Sequence, residues 1–155
     1  CIGENYYEAI LKSMLSVGHR IPKKNILISS GPTRSKVELL NSTRMLIEKG
    51  YNIYSTAGTA KFFKENGIDT QILYWPDEDK EPNIMEYLHD RRIDLVINIP
   101  KNHTKRELDN GYKIRRAAVD YNIPLITNAR LASAFIYAIC KVDPSEIAIK
   151  SWDEY

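Results

Sequence analysis

The sequence has few cysteines, and their placement predicts neither a disulfide framework nor a metal site. Only Cys1 and Cys140 occur, near opposite ends of the 155-residue chain. Neither has a second cysteine or a histidine at metal-ligand spacing. Such sparse cysteine is typical of proteins from reducing compartments. We therefore expect a cytoplasmic protein with two structural thiols.

Long apolar runs and an excess of one charge are also missing. No stretch approaches the about 20 apolar residues that span a membrane, and no secretory signal precedes the first helix. The 22 basic and 20 acidic residues are interspersed, with a formal net charge of +2, so the basic surface of a nucleic-acid binder is not indicated. We expect no membrane and no nucleic-acid partner. Because the chain begins at Cys1 rather than Met, we expect a fragment of a longer protein.

Several catalytic and metal-binding motifs are absent from the sequence. It contains no serine nucleophile elbow, no paired cysteine and histidine, and no glycine-rich phosphate loop with its lysine. His19, His89 and His103 have no partner at ligand spacing, so we expect them at the surface and expect no metal site. The chain is predicted to bind a ligand and to contain no catalytic residues.

The sequence does contain short apolar segments that alternate with amphipathic ones. The apolar segments are nearly continuous and rich in β-branched residues, which is typical of strands buried on both faces of a parallel sheet. They are Asn25 to Ser30, Asn52 to Thr56, Gln71 to Trp75, Asp94 to Ile99 and Pro124 to Thr127. The alternation predicts an α/β fold, a three-layer α/β/α sandwich whose ligand crevice lies at the carboxyl ends of the strands.

The amphipathic segments predict helices. Within Lys36 to Lys49, the residues Val37, Leu40 and Ile47 share one predicted buried face. Two later helices are predicted from Ile114, Ala117, Ala118 and Tyr121, and from Leu131, Ala134, Phe135, Ala138 and Ile139 behind Asn128 as N-cap. A first helix precedes all the strands, with an apolar stripe made of Tyr7, Ile10, Leu11, Met14 and Leu15. This stripe should pack outside the sandwich, against a neighbouring domain, or against the back of the sandwich.

Polar side chains follow three of the predicted strands. They are Ser29, Ser30, Gly31 and Lys36 after the first, Thr56, Gly58 and Thr59 after the second, and Asn98 and Lys101 after the fourth. A helix that begins near Thr59 would point its free backbone N–H groups and its dipole into the same crevice, where a phosphate or carboxylate would fit. These residues alone also allow a simpler interpretation, in which Thr59 only caps the helix and Gly58 only turns the chain.

Two further features allow more than one interpretation. Trp75 ends the third predicted strand and can offer its ring to a base or a small apolar group, or can simply pack in the core or at its rim. Arg115 and Arg116 are adjacent on a helix whose apolar face lies elsewhere. For both arginines we favour a solvated or ion-paired role over ligand binding.

Several segments in the same order resemble one family. STAGTAKFFKENGI, LYWPDEDKEPNI, DLVINIP and YKIRRAAVDYNIPLITN are similar to the methylglyoxal synthase-like (MGS-like) domain that ends the large subunit of carbamoyl-phosphate synthetase. The opening residues resemble the junction that leads into that domain. The resemblance implies a five-stranded parallel sheet of order 3-2-1-4-5, with residues 1–22 as a junction helix from the preceding synthetase domain and residues 23–155 as the regulatory domain.

The resemblance implies an allosteric domain that binds an anionic effector and does not catalyse. The parent chain would be an ATP-dependent, glutamine-hydrolysing carbamoyl-phosphate synthase of pyrimidine or arginine biosynthesis, with Mg or Mn in its synthetase domains. The implied partners are those synthetase domains and a glutamine amidotransferase subunit. The domain itself would need no cofactor, and the first helix, if uncovered, could support a homo-oligomer.

The resemblance also assigns the effector-binding residues. Thr56 and Thr59 match the family's threonine pair, and Asn98 matches the asparagine that closes the fourth strand. Ser29 and Lys36 match a serine and a phosphate-binding lysine of the bacterial type that is regulated by uridine nucleotides.

The chain departs from the types of this family at two positions, Trp75 and Lys101. Trp75 is shared with the acetylglutamate-activated and animal nucleotide-regulated types, where the bacterial type has a second lysine. Lys101 replaces an asparagine that contacts the activator in the acetylglutamate type, and Asn110, beside an apparent insertion at Gly111, lies near another. The expected effector is a uridine nucleotide or else N-acetylglutamate.

Two alternatives to a regulatory domain remain. A methylglyoxal synthase-type phosphate-ester lyase has the same sheet and threonine loop, but its glycine-glycine-aspartate run is replaced here by Pro76 to Pro82, where Asp77 or Asp79 would have to act as base. A purely structural interaction domain would bind no ligand and would dock or dimerise through the first helix.

Overall fold

A parallel sheet forms the centre of the molecule in a computed structural model that describes residues 1–101, 104–147 and 154. Within these residues the strands are β1 Asn25–Ser30, β2 Asn52–Ser55, β3 Gln71–Ile72, β4 Leu95–Ile99 and β5 Leu125–Ile126. They lie in the order β3-β2-β1-β4-β5, and every neighbouring pair is parallel. The predicted fold and strand order are confirmed.

Helices cover both faces of the sheet. They are α1 Tyr6–Ser16, α2 Thr33–Glu38, α3 Leu40–Glu48, α4 Ala57–Glu65, α5 Ile84–His89, α6 Lys105–Asp120 and α7 Ala129–Lys141, followed by a short 3₁₀ turn at Pro144–Glu146. Helices α5 and α6 pack together over one face, and α1, α2 and α3 pack against α7 over the other. Within the described part of the chain, no helix combines the length and apolar character that a membrane crossing requires.

Alternate residues of the strands enter two separate apolar cores. In β1, Ile26 and Ile28 belong to the core that contains Phe63 and Phe135, whereas Leu27 belongs to the core that contains Leu88. Because side chains alternate along a strand, a strand covered on both faces must be apolar at every position. This requirement explains the continuous apolar runs in the sequence.

The predicted helix Lys36 to Lys49 differs from the structure in its bounds and its buried face. The helical segment starts at Thr33 and is interrupted at Leu39, which ends α2 and precedes α3. Two of the three predicted buried residues are exposed, Val37 at 55% and Ile47 at 40%, whereas Leu40 packs partly against the core and Leu39 is fully buried. The interruption changes the phase of the helix. After the interruption, a polar residue, Thr43, faces the core. It is tolerated there because its Oγ1 donates a hydrogen bond to the Leu39 carbonyl at 2.7 Å.

The first helix packs against the back of the sandwich. Leu11 and Met14 are buried in the same core as β1 and β4, and the Tyr7 ring stacks on Tyr137 of α7 with 6.3 Å between ring centres. Of the two positions expected for the apolar stripe, the structure shows packing against the back of the sandwich, with Tyr7, Ile10 and Leu15 only half-buried. The boundary after residue 22 stays a prediction.

The predicted cap of α7 is confirmed, whereas the histidines differ in their exposure. Asn128 caps α7 as predicted, with its Oδ1 accepting from the backbone N–H of Leu131 at 3.0 Å. His89 is exposed, but the Nδ1 atom of His19 is buried and the ring meets Phe135 edge-on, so His19 is not a surface residue. Burial lowers the pKa of His19. The prediction for His103 lies outside the described residues.

All the strands after the first are shorter than predicted, the fourth by one residue. The second strand ends at Ser55, because Thr56 already takes the N-cap position of α4. After Ile72 the chain leaves the sheet, and Tyr74 pairs with the segment around Asn83. Trp75 therefore lies on the loop beyond the sheet edge rather than at a strand end.

Candidate functional site

A cavity of about 280 Å³ opens beyond the carboxyl ends of the strands. Its lining includes seven predicted site residues: Ser29, Lys36, Thr56, Thr59, Trp75, Asn98 and Lys101. The lining also includes Glu78, Arg106, Glu107 and Gly111, which the sequence did not indicate. The strand ends and the first turns of α4 and α6 thus converge at the edge where the fold predicts a ligand.

The N-terminus of α4 points into this cavity. Thr56 is the N-cap residue, and its carbonyl accepts the first bonds of the helix, from the backbone N–H groups of Thr59 and Ala60 at 2.9 and 2.8 Å. The preceding N–H groups, on Ala57 and Gly58, belong to residues that line the cavity. A helix start without internal acceptors for these groups, together with the positive end of the helix dipole, is suited to interact with an anion.

Thr59 does not cap the helix and instead ties α4 to β1. Its side chain is almost fully enclosed, with the residue 1% exposed. The Oγ1 atom accepts from the Ser30 N–H at 3.0 Å and from the Thr56 hydroxyl at 3.2 Å, and it donates to the Ser30 carbonyl at 3.2 Å. Since a hydroxyl offers one proton and two lone pairs, its bonding capacity is filled. Thr59 therefore fixes the position of the helix start.

Two lysines line the cavity near the start of α4. Lys36 of α2 lies with Nζ 3.4 Å from the Gly58 carbonyl, and Lys101 forms a 3.4 Å ion pair with Glu107. Burial, and then the nearby charge of Lys101, lower the pKa of Lys36. A Cβ atom placed on Gly31 would lie 2.0 Å from Cβ of Lys101, so this close approach requires glycine at position 31. The like charges of the two lysines favour an anion between them.

The opposite wall of the cavity is formed by Trp75, its loop and α6. The guanidinium of Arg106 lies 5.2 Å from the centre of the Trp75 ring and binds the carboxylate of Asp77 through Nε and Nη2. Glu78 accepts from the Trp75 backbone N–H at 2.9 Å. The hydrogen bond from Arg106 lowers the pKa of Asp77. Trp75 is half-buried against the α5 and α6 core and also lines the cavity, so both interpretations of this residue apply in part.

Asn98 and Arg115 are joined at the floor of the cavity. Asn98 is 3% exposed, and its Oδ1 accepts from Arg115 Nη1 at 2.7 Å. Arg115 is thus half-buried and bonded to a neutral amide, and it does not itself line the cavity. Arg116 does form the expected surface ion pair, with Asp120 at 2.9 Å. Adjacent arginines of α6 thus have different environments.

Asn110 does not line the cavity. It is 2% exposed, its side-chain amide donates to the Arg106 carbonyl at 3.1 Å, and its Oδ1 accepts no hydrogen bond from the described residues. It lies beside a separate groove that Asp77 and Arg106 also border. The structure therefore places Asn110 behind Arg106, one layer from the cavity.

The cavity-lining residues that the sequence did not indicate lie mainly on α6. Its start carries a signal that could have located them, because Thr104 and Glu107 have the spacing of a capping box. Thr104 Oγ1 accepts from the Glu107 N–H at 3.2 Å and donates to the Glu107 carboxylate at 3.0 Å. The capping box places Arg106 and Glu107 in the first turn, at the strand-end edge. Among the described residues, no three His, Cys, Asp or Glu side chains are grouped as a metal site.

Comparison with known proteins gives consistent similarities. A model of the family described as "MGS-like domain" matches residues 38–127. The chain is 44% identical over 153 residues to "Multifunctional protein CAD" of Squalus acanthias, covering 90% of this chain and 7% of that protein. It is 38% identical over 146 residues to "Carbamoyl-phosphate synthase [ammonia], mitochondrial" of Homo sapiens, covering 91% of this chain and 10% of that protein. The chain thus spans less than a tenth of the length of the first of these relatives.

Among solved structures, a crystal structure of methylglyoxal synthase from Elizabethkingia anophelis is similar in fold. It superposes with a TM-score of 0.51 and 18% sequence identity, over 74% of this chain and 77% of the other. This likeness concerns the arrangement of the sheet and helices alone.

Proposed function

The chain belongs to the family of MGS-like domains, and from this membership we propose that it is the allosteric, effector-binding domain of a carbamoyl-phosphate synthase large chain. In such a parent the ATP-dependent synthetase domains catalyse, and this domain senses a metabolite. The relatives named above carry a similar segment within much longer proteins. The synthetase domains and a glutamine amidotransferase are its proposed partners, in the cytoplasm.

The observation that carries this proposal is the composition of the cavity at the start of α4. Backbone N–H groups, the helix dipole and the ammonium groups of Lys36 and Lys101 converge on one cavity. Burial and then the nearby charge of Lys101 lower the pKa of Lys36, and an anion bound beside both lysines would favour their charged forms. A phosphate or carboxylate is the ligand group that this arrangement favours.

A uridine nucleotide is the effector that we favour, with N-acetylglutamate as the second candidate. The phosphate of a nucleotide would lie at the α4 start, near Lys36 and Thr56. The Trp75 ring, at the opposite wall, offers a flat apolar surface for a base. An acetylated dicarboxylate would use the same cationic groups and would place its acetyl methyl against Trp75.

The environment of Asp77 argues against this residue as the base of a methylglyoxal synthase-type lyase. Asp77 is held by Arg106, and this hydrogen bond lowers the pKa of its carboxyl group. A carboxylate with a lowered pKa is a weaker base, which is the reverse of what proton abstraction requires. Release of methylglyoxal from dihydroxyacetone phosphate by the purified chain would establish the lyase instead.

Regulation requires that the effector bind one global state of the parent better than another, because equal affinity for both states shifts nothing. A coupling free energy of about 1 to 3 kcal/mol is typical of such systems. The parent's synthesis rate, measured with and without effector, reports this coupling.

The proposal is tested by calorimetric titration of the chain with UMP, UTP, IMP and N-acetylglutamate. We expect one of these to bind, and we expect Lys36→Ala to weaken it by about tenfold, the loss of roughly one charge-assisted hydrogen bond. Lys61→Ala is the matched control, because Lys61 lies exposed on α4 and does not line the cavity. The effector-binding function is rejected if none of the compounds binds.

A further inference from the structure

The side-chain amide of Asn98 has a fixed orientation in the floor of the cavity. Its Oδ1 lies 2.7 Å from Arg115 Nη1, and the residue is almost entirely enclosed. A guanidinium only donates hydrogen bonds, so the carboxamide must turn its oxygen toward Arg115. The amide NH₂ group consequently points away from Arg115.

The guanidinium of Arg115 occupies space next to Gly111 that a side chain at position 111 would need. Gly111 lies one helical turn before Arg115 in α6 and also lines the cavity. A Cβ atom at position 111 would lie 2.9 Å from Arg115 Nη1 and 3.8 Å from Asn98 Oδ1. The first distance is too short, so the guanidinium would have to move. Glycine inside a helix is less favourable than alanine, and clearance for Arg115 gives it a structural reason at this position.

We infer that Gly111 and Arg115 are positioning residues that hold the amide of Asn98 as a hydrogen-bond donor toward the effector. This inference rests on the proposed function and specifies the chemistry of the effector further. The group that meets Asn98 must be an acceptor oxygen of a phosphate, carboxylate or carbonyl, and an amino group is disfavoured there. Selection of this kind is strong, because a wrong partner leaves a buried polar group unpaired.

The inference is tested with Gly111→Ala. Alanine favours the helix but displaces the guanidinium, so the unfolding temperature should stay within about 3 °C of the wild type. Affinity for UMP or N-acetylglutamate, whichever the wild type binds, should nevertheless fall by about tenfold. Val119→Ala is the control, because Val119 is exposed on the same helix and does not line the cavity.

A second pair of variants separates the adjacent arginines. Arg115→Ala frees the Asn98 amide to turn and should weaken the effector by about tenfold, whereas Arg116→Ala removes only a surface ion pair and should leave affinity unchanged. Arg115→Lys retains a donor and should recover part of the affinity. A merely structural role for Arg115 would change the unfolding temperature without this split in affinity.

A ligand-free measurement separates this inference from the proposed function. The ¹⁵N–¹H resonances of the Asn98 side-chain amide should shift in Gly111→Ala and stay in place in Val119→Ala. If the wild type binds an effector and both Gly111→Ala and Arg115→Ala bind it with the same affinity, the inference is overturned and the proposed function stands. Absence of wild-type binding would overturn the proposed function and, with it, the inferred selection of an acceptor oxygen.

Discussion

The two walls of the cavity are built in different ways. At the α4 wall, backbone N–H groups and enclosed hydroxyls are fixed by bonds between Thr59 and Ser30. At the opposite wall, Arg106 reaches across from α6 to Asp77, and its side chain is 57% exposed. The first wall is preorganised by the fold, whereas the second is held by side chains in contact with water. We therefore expect the α4 wall to supply affinity and stability, and the α6 wall to adapt to the ligand.

The largest effect should come from Thr59→Val, which keeps the shape of the side chain and removes its hydroxyl. The Ser30 N–H and carbonyl would lose their partner in an enclosed place, at a cost of about 2 to 4 kcal/mol of unfolding free energy. Chemical denaturation measures this loss. Thr59→Ser restores the hydroxyl and should recover most of it. Equal stability of the valine variant and the wild type would contradict the role assigned to Thr59.

A smaller effect is expected from pH, through Lys36. Its pKa lies below the ordinary value of 10.5 in the ligand-free chain, and a bound anion should raise it. Effector affinity should therefore decrease as the pH rises from neutral toward that ordinary value, because Lys36 loses its proton. Titrations at increasing pH check this, with Lys36→Arg as the comparison, since arginine keeps its charge. A parallel decline in the Lys36→Arg variant would assign the pH effect to another group.

The lowered pKa of Lys36 also makes the folding stability depend on pH. The unfolded chain holds its Lys36 proton more strongly than the folded chain does, so this group makes stability rise with pH between the folded and the ordinary pKa. Replacement by the neutral isostere in Lys36→Met should flatten the rise. Denaturation midpoints across this range measure the difference, and an unchanged slope would show that Lys36 does not titrate there.

The smallest effect on stability is expected from Arg106→Ala at the α6 wall. The ion pair with Asp77 is exposed to solvent, so its loss should leave the unfolding temperature unchanged. Effector affinity should become less dependent on salt, because one cation is removed from the cavity. Titration at low and high ionic strength checks this. A marked loss of stability would show that the second wall is as rigid as the first.

The sheet and the α4 wall could be predicted because their signals are local. The apolar run of β1 and the Thr56-Ala57-Gly58-Thr59 turn each lie within a few residues of sequence. The part each threonine plays could not be predicted, because it depends on a hydrogen bond between Thr59 and Ser30, which is 29 residues away. These two residues meet only in the folded chain, and no local sequence pattern indicates their contact.

The side-chain contacts of the α6 wall could not be predicted for the same reason, although the Thr104 and Glu107 capping box marks where α6 begins. Arg115 and Arg116 have identical side chains and almost the same local sequence, but only Arg115 points to Asn98. The face of α2 and α3 was mistaken because the pattern assumed one unbroken helix, whereas Leu39 interrupts it. Trp75 was placed at a strand end because the bridge between Tyr74 and Asn83 leaves no periodic signal.

The claim that an anionic effector binds at the α4 wall can be tested most directly by nuclear magnetic resonance. Titration of ¹⁵N-labelled chain with UMP, and separately with N-acetylglutamate, reports on each backbone amide. We predict that one of them produces its largest shifts at the amides of Ala57 and Gly58, with smaller shifts at the Trp75 indole. Saturating shifts elsewhere, with Ala57 and Gly58 unchanged, would contradict the account.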